Sequence, residues 1–303
     1  MKKFKVFLTD VAFPIEFPSH EVIIEQGRAH GLELEVLNTT ENTTEALIRE
    51  GADADVVINA FTPVTKEFID SLQKCKLIIR IAIGVDTIDV DAATARGIRV
   101  ANVPDYCWEE VAVHTMALIL SIVRNIAPRN QALKEGAWRP PEVAYDCYLP
   151  RLSKKVLAIC GFGNIARQLA LRAKPFMKEI WAYDPYLSDE VFEQYGVKRV
   201  LDLSDMWPNA DIISLNLPLT KETYHLVNAS ILAQMKPTAI LINTARGAVI
   251  DEAALCDALE NGMIAGAGLD VFEQEPPQDA RWYALDNLVM GSHCSSSTSG
   301  AVA

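Results

Sequence analysis

The chain has 303 residues, half of them hydrophobic, with 15 glycines and 15 prolines. That is enough apolar material for two cores, with no bias toward disorder or a fibre. A formal net charge of −12 argues against non-specific nucleic-acid binding and against docking on an anionic membrane, but not against a small anionic substrate held by a local cation.

The first residues, MKKFKVFLTD, are basic and then strand-like, with no small-residue cleavage site, so no signal peptide is expected. Strands are predicted at KVFLTD, LELEVLN, ADVVINA, LIIRIAI and IRVANV. Helices alternate with them around 19–30, 41–50, 66–73 and 89–96. The strands are continuous apolar runs, the mark of parallel strands covered on both faces. The run VAVHTMALILSIV (111–123) is too short to span a bilayer and is flanked by Glu109, Glu110 and Arg124. Apolar nearly all round, such a helix is buried in a core or between subunits. Residues 129–152, with Pro140, Pro141 and Pro150, read as a long connecting loop.

The strand–helix alternation restarts after Leu152. Strands are expected at KKVLAICG, EIWAYD, DIISLNLP, AILINTA, IAGAGLDV and LVMGSH, and helices at 164–176, 188–195, 230–235 and 251–261. The expected fold is α/β: two doubly wound parallel-sheet domains in series. Six cysteines at 75, 107, 147, 160, 256 and 294 form no CxxC pair. They read as reduced thiols of a cytoplasmic protein, with neither a disulfide framework nor a metal site expected.

GFGNIA (161–166) follows one strand and opens a helix. Gly161 permits a tight turn, Gly163 lets backbone approach a pyrophosphate, and Ala166 allows close helix–strand packing. Asn164 and Ile165 begin the helix, whose N–H groups and dipole favour phosphate. Asp184 closes the next strand, where a carboxylate bonds both ribose hydroxyls and repels a 2′-phosphate, so NAD is expected rather than NADP. Hydride transfer to a carbonyl further needs a proton donor and a cation for an anionic substrate. Three strand ends offer candidates. Arg246 holds a carboxylate in bidentate fashion, although an arginine here is as readily a surface ion pair. His293 exchanges a proton near neutrality, whereas a lone histidine is more often a bonded loop residue. Glu275 would orient it, whereas a loop acid is more often merely solvated.

At this point the chain resembles the D-isomer-specific 2-hydroxyacid dehydrogenase family along nearly its whole length. The resemblance rests on RIAIGVDTIDVDAATARGIRVANVP, GFGNIA with Asp184, NLPLTKETYHLVN, LINTARGAVIDEAAL, GAGLDVFEQEPP and GSH. YDPYLSDE and NVPDYCWEEVAVH look closest to the branch containing phosphoglycerate dehydrogenase and the C-terminal binding protein corepressors.

The resemblance implies a flavodoxin-like substrate domain at 1–101, to which 295–303 return, and a Rossmann NAD-binding domain at 102–294. It implies that Arg246 binds the substrate carboxylate together with backbone at Ile83 and Gly84, that His293 is the acid/base and that Glu275 supports it. Leu217, Pro218, Thr223, Thr244, Ala245 and Asp270 would line the cofactor cleft. The helix region 109–126 would pair two subunits across a two-fold, giving a homodimer. A further helix on the outer domain would follow the tail. The expected activity is interconversion of a small 2-keto acid and its D-2-hydroxy acid. An NAD(H)-sensing, corepressor-like binding protein with vestigial catalysis is the alternative. A phosphoacid substrate would need further cations, for which Arg80 is a candidate. Five positions depart from the pattern: Ala82 replaces the usual glycine of the substrate loop, Ile83 is bulky, Trp108 and Val113 stand where smaller or acidic residues are commoner, and Cys294 adjoins His293.

Overall fold

A computed structural model describes residues 3–11, 20–138 and 151–302. It divides into two compact units, Met1–Tyr106 with Thr298–Ala303, and Cys107–Ser297. These borders fall a few residues beyond those expected from the sequence.

The first unit holds β1 (Lys3–Leu8), β2 (Glu33–Asn38), β3 (Val56–Asn59), β4 (Leu77–Arg80) and β5 (Arg99–Asn102). All pair in parallel in the order β2-β1-β3-β4-β5, the flavodoxin-like winding. Its helices start where short polar side chains satisfy free N–H groups. Thr43, Thr65 and Asp89 accept from Ala46, Phe68 and Ala92. Phe7, Leu47, Val57, Phe68 and Ile78 fill the core. The buried Asp10 carboxylate, just past β1, accepts the N–H groups of Ala60, Phe61 and Thr62 and so pins the turn after β3.

The second unit holds β6 (Val156–Cys160), β7 (Glu179–Tyr183), β8 (Lys198–Arg199), β9 (Ile212–Leu215), β10 (Ile240–Asn243), β11 (Gly266–Leu269) and β12 (Leu288–Met290). The order is β12-β11-β10-β9-β6-β7-β8, parallel throughout. Successive strand residues point to opposite faces. Ala158, Cys160, Ile213 and Leu241 accordingly pack with Trp207, Leu255 and Trp282 on one side. Leu157, Ile159, Ile212 and Ile240 pack with Ile119, Leu169 and Phe192 on the other. Both faces are covered, which is why these strands read as unbroken apolar runs. The winding reverses direction between β6 and β9, and ligands of such sheets bind at that switch point, beyond the strands' C-terminal ends.

The helix Trp108–Val123 lays Val111, Ala112, Thr115, Met116, Leu118, Ile119 and Val123 inward. Packing within its own unit therefore accounts for most of its apolar surface. Val113 stays 53% exposed. Among the described residues no single helix is long and apolar enough to cross a membrane.

Two expectations need correction. The loop expected at 129–152 begins as helix, Ile126–Lys134. None of its residues is buried, so it lacks the periodic apolar stripe that marks a helix in sequence. Gln131, Ala132, Leu133 and Lys134 are good helix formers, and Pro128 sits in the first turn, where proline is tolerated. Pro140, Pro141, Pro150 and Cys147 lie outside the described residues. The sequence also conceals β8, whose two residues are too few to show a pattern. The short helices Leu203–Met206 and Ser299–Val302 were likewise not expected; the remaining strands and the longer helices fall where expected, mostly trimmed by a few residues at their ends, the usual uncertainty of boundaries.

Candidate active site

The glycine loop leaves β6 through Gly161 at φ +85°, a left-handed conformation that side chains resist. A Cβ there would lie 2.6 Å from the Asn216 carbonyl oxygen. Gly163 differs: its φ is −72°, and an added Cβ would meet nothing within 4 Å. The space in front of it is open. The helix Asn164–Ala173 begins there with no side-chain cap, leaving its first N–H groups to a ligand. Ala166 is fully buried, as close packing requires.

Asp184, just past β7, is half-buried, and its two oxygens accept the Phe162 and Tyr186 N–H groups, each at 3.0 Å. The carboxylate is thereby fixed beside the loop. Leu217 and Pro218 follow β9, and the Thr223 hydroxyl donates to the Pro218 carbonyl at 2.7 Å. An open glycine cradle, an uncapped helix start and an oriented acid are what a dinucleotide needs, so these residues fit NAD.

At the end of β10, Asn243 builds the next turn. Its amide donates to the Arg246 carbonyl at 2.8 Å, and its oxygen accepts the Ala245 N–H at 3.0 Å. Thr244 shares a hydroxyl–hydroxyl bond with buried Thr115 at 2.9 Å. The Arg246 guanidinium is half-buried and donates to the Ala245 carbonyl at 2.6 Å. A Cβ on Gly247 would lie 1.9 Å from the Phe272 carbonyl carbon, so this turn rests against the backbone that leaves β11.

That backbone carries Glu275. One Glu275 oxygen accepts the Phe272 N–H at 3.0 Å, and the other lies 2.7 Å from His293 Nδ1. Burial pushes the Glu275 carboxyl up, but the hydrogen bond and charge of His293 hold it below its ordinary value on balance. His293 follows β12 at φ +55°, where histidine is tolerated better than bulkier types. Its N–H donates to the Asp270 carbonyl at 2.8 Å, which fixes that backbone. Asp270 itself is fully buried. Burial pushes its carboxyl up, but the His114 ring and the donors of Ser295 and Cys294 bring it below the ordinary value.

The Glu275–His293 pair borders a cavity of about 390 Å³ lined by Phe272, Pro276, Pro277, Tyr283 and Met290. Glu275 and His293 are thus brought together, and Arg246 stands on the neighbouring strand end, next to the turn that abuts the Glu275 backbone. In the first unit, Ile83 and Gly84 lie half-buried past β4, with the Ile83 carbonyl accepting from Asn102 at 2.7 Å. Arg80 is buried there, 6.0 Å from the Phe61 ring. Sequence reasoning missed Asn243 and the lining by Tyr283 and Met290. An asparagine closing an apolar strand is a turn signal that points to the first; nothing local points to the others.

A switch-point glycine loop, a fixed acid and a carboxylate–imidazole pair define a nucleotide-dependent dehydrogenase fold. The chain belongs to the D-isomer-specific 2-hydroxyacid dehydrogenase family: the family's NAD-binding domain matches residues 116–295. It is 41% identical over 98% of its length to D-3-phosphoglycerate dehydrogenase of Methanocaldococcus jannaschii, covering 54% of that protein. It is 40% identical over 83% of its length to glyoxylate reductase of Thermococcus litoralis, covering 77% of it. The chain thus spans about half the length of the first of these relatives. D-lactate dehydrogenase from Aquifex aeolicus, solved with NAD and lactic acid, superposes with a TM-score of 0.83 at 27% identity, over 98% of this chain and 90% of that one.

Proposed function

We propose that this protein is an NAD-dependent oxidoreductase that interconverts a small 2-keto acid and its D-2-hydroxy acid. The observation that carries the proposal is the 2.7 Å contact between His293 Nδ1 and Glu275 at the mouth of the cavity. With Nδ1 engaged, Nε2 is the nitrogen that exchanges a proton with the substrate oxygen. Glu275 holds the ring in the orientation from which it donates a proton in the reductive direction. Arg246 binds the substrate carboxylate and steadies charge on the keto oxygen. Ile83 and Gly84 are assigned to the same carboxylate on the resemblance alone. Gly161, Gly163, Asn164 and Ile165 would hold the pyrophosphate, Asp184 the ribose, and Leu217, Pro218, Thr223, Thr244, Ala245 and Asp270 the remainder of NAD. When bound, NAD supplies or accepts the hydride.

The apolar cavity lining supports a substrate whose side chain is uncharged near C3 rather than a phosphoacid. The relatives named above are enzymes and give the corepressor-like alternative no support. Exposed Val113 and Ile126 support a homodimer formed through the helix region 109–126. Five free cysteines among the described residues support a cytoplasmic protein.

The test is NADH oxidation with glyoxylate, pyruvate, hydroxypyruvate and branched and aromatic 2-keto acids, with NADPH as control. Turnover with at least one of them, lost in His293→Asn while NADH binding persists, is expected. Tight NADH binding without turnover across the panel would overturn the enzyme reading.

A further inference from the structure

The loop that leaves β11 carries two carboxylates two residues apart, and each meets an imidazole. Glu275 meets His293. Glu273 accepts from His225 Nε2, on a residue remote in the chain. The chemistry proposed above gives this second pair no part.

His225 lies in the loop after β9 that also carries Leu217, Pro218 and Thr223. Its N–H donates to the Ala248 carbonyl at 2.9 Å, and the Val227 N–H donates to Val249 at 3.1 Å. Both acceptors belong to the single turn Gly247–Val249 that follows Arg246. The His225 ring stacks on Tyr224, with centroids 4.0 Å apart and planes 14° apart. The backbone there stands at φ +49°, which histidine and asparagine tolerate better than bulkier residues. His225 is therefore anchored on the Arg246 side and reaches across to the Glu275 side.

On the far side the Glu273 N–H donates to a Glu252 oxygen at 2.7 Å, and the Phe272 N–H donates to Glu275 at 3.0 Å. The surroundings are acidic: burial, together with the charges of Glu273, Asp279 and Glu275, holds the Glu252 carboxyl above its ordinary value. An imidazole N–H donated to Glu273 offsets that repulsion. The two side chains are 30% and 32% exposed, so their pairing adds little to stability. What it fixes is geometry, because Glu275 starts two residues from the point that His225 holds.

We propose that His225 is a positioning residue: through Glu273 it fixes the loop that carries Glu275, and so sets the Glu275 carboxylate against the His293 ring. Its effect on turnover rests on the dehydrogenase reading; its effect on the His293 ring does not.

The experiment compares His225→Asn, Glu273→Ala and Glu273→Gln with the parent in the full chain. Asparagine keeps the left-handed backbone but is too short to reach Glu273. His225→Asn and Glu273→Ala should each lower kcat by about 10- to 100-fold, the scale of a misplaced catalytic group, with NADH affinity nearly unchanged. The double variant should be no worse than either single one, as for two residues acting as one unit. Glu273→Gln keeps an acceptor and should restore most of what Glu273→Ala loses. Thermal midpoints should fall by no more than about 4 °C, so the kinetic loss is not unfolding. Long-range ¹H–¹⁵N spectra of the histidine rings, with His293 assigned from His293→Asn, need no turnover. The His293 Nδ1 resonance should move in His225→Asn in the same direction as in Glu275→Gln. If the parent binds NADH without turnover, the enzyme reading fails and the His293 resonance alone decides the positioning role. Unchanged kcat in an active parent's His225→Asn variant, or a His293 resonance unmoved in both His225→Asn and Glu273→Ala, would overturn the proposal.

Discussion

Two glycines two residues apart should respond oppositely to the same added methyl group. Gly161→Ala places a side chain at φ +85°, at a cost of about 1–2 kcal/mol for the left-handed conformation. Its Cβ would also sit 2.6 Å from a backbone oxygen and 2.9 Å from the carbon bearing it, both in Asn216. That backbone cannot drift freely, because the Asn216 N–H donates to Cys160 at 2.7 Å and the Gly161 N–H to Tyr183 at 2.8 Å. Overpacking of this kind adds about 1–3 kcal/mol. The sum, roughly 2–5 kcal/mol, corresponds to a fall in the thermal midpoint of the order of 10 °C for a unit of this size. Gly163→Ala has an ordinary φ and open space, so its stability should change by less than about 1 kcal/mol. Its methyl group would instead occupy the approach to the pyrophosphate, weakening NADH binding by about tenfold or more. Thermal melts followed by circular dichroism, paired with NADH fluorescence titration, separate the two effects. Equal melting shifts, or a Gly163→Ala variant that binds NADH like the parent, would refute the geometry of the loop.

His293→Asn should lower turnover by about 10²–10⁴-fold with little change in NADH affinity, as steady-state kinetics beside a binding titration would show. Asp184→Ser should raise the ratio of NADPH to NADH affinity by removing the charge that repels a 2′-phosphate; an unchanged ratio would remove Asp184 from nucleotide selection. Asp270 has a folded carboxyl below its ordinary value of 3.8, so its stabilisation is fully present above that value and lost as pH falls through the lower folded one. Asp270→Asn should therefore flatten the acid limb of the melting-temperature profile below about pH 4, and an unaltered limb would count against it.

Much of the architecture was readable because its causes are local. Unbroken apolar runs such as VLAIC and ILIN reveal strands covered on both faces, and Gly161 answers to a backbone angle only glycine accepts readily. Asp184 and His293 were readable as strand-end residues, since the α/β winding places such ends at the ligand crevice. The helix Ile126–Lys134 was not, because it buries no residue and so leaves no periodic trace.

What the tertiary structure alone decided are distances between residues far apart in the chain. It set the carboxylate of Glu275 on the ring of His293, propped the Arg246 turn on the backbone after β11, and lined an open apolar cavity with Tyr283 and Met290. It also gathered His114 and Cys294 beside the buried Asp270 carboxylate, residues far apart in the chain. Local conformation follows from each residue's own sterics and its near neighbours. Convergence across parallel strands follows from crossover connections and from packing on both sheet faces, and these bring remote side chains within ångströms without leaving a mark in their spacing.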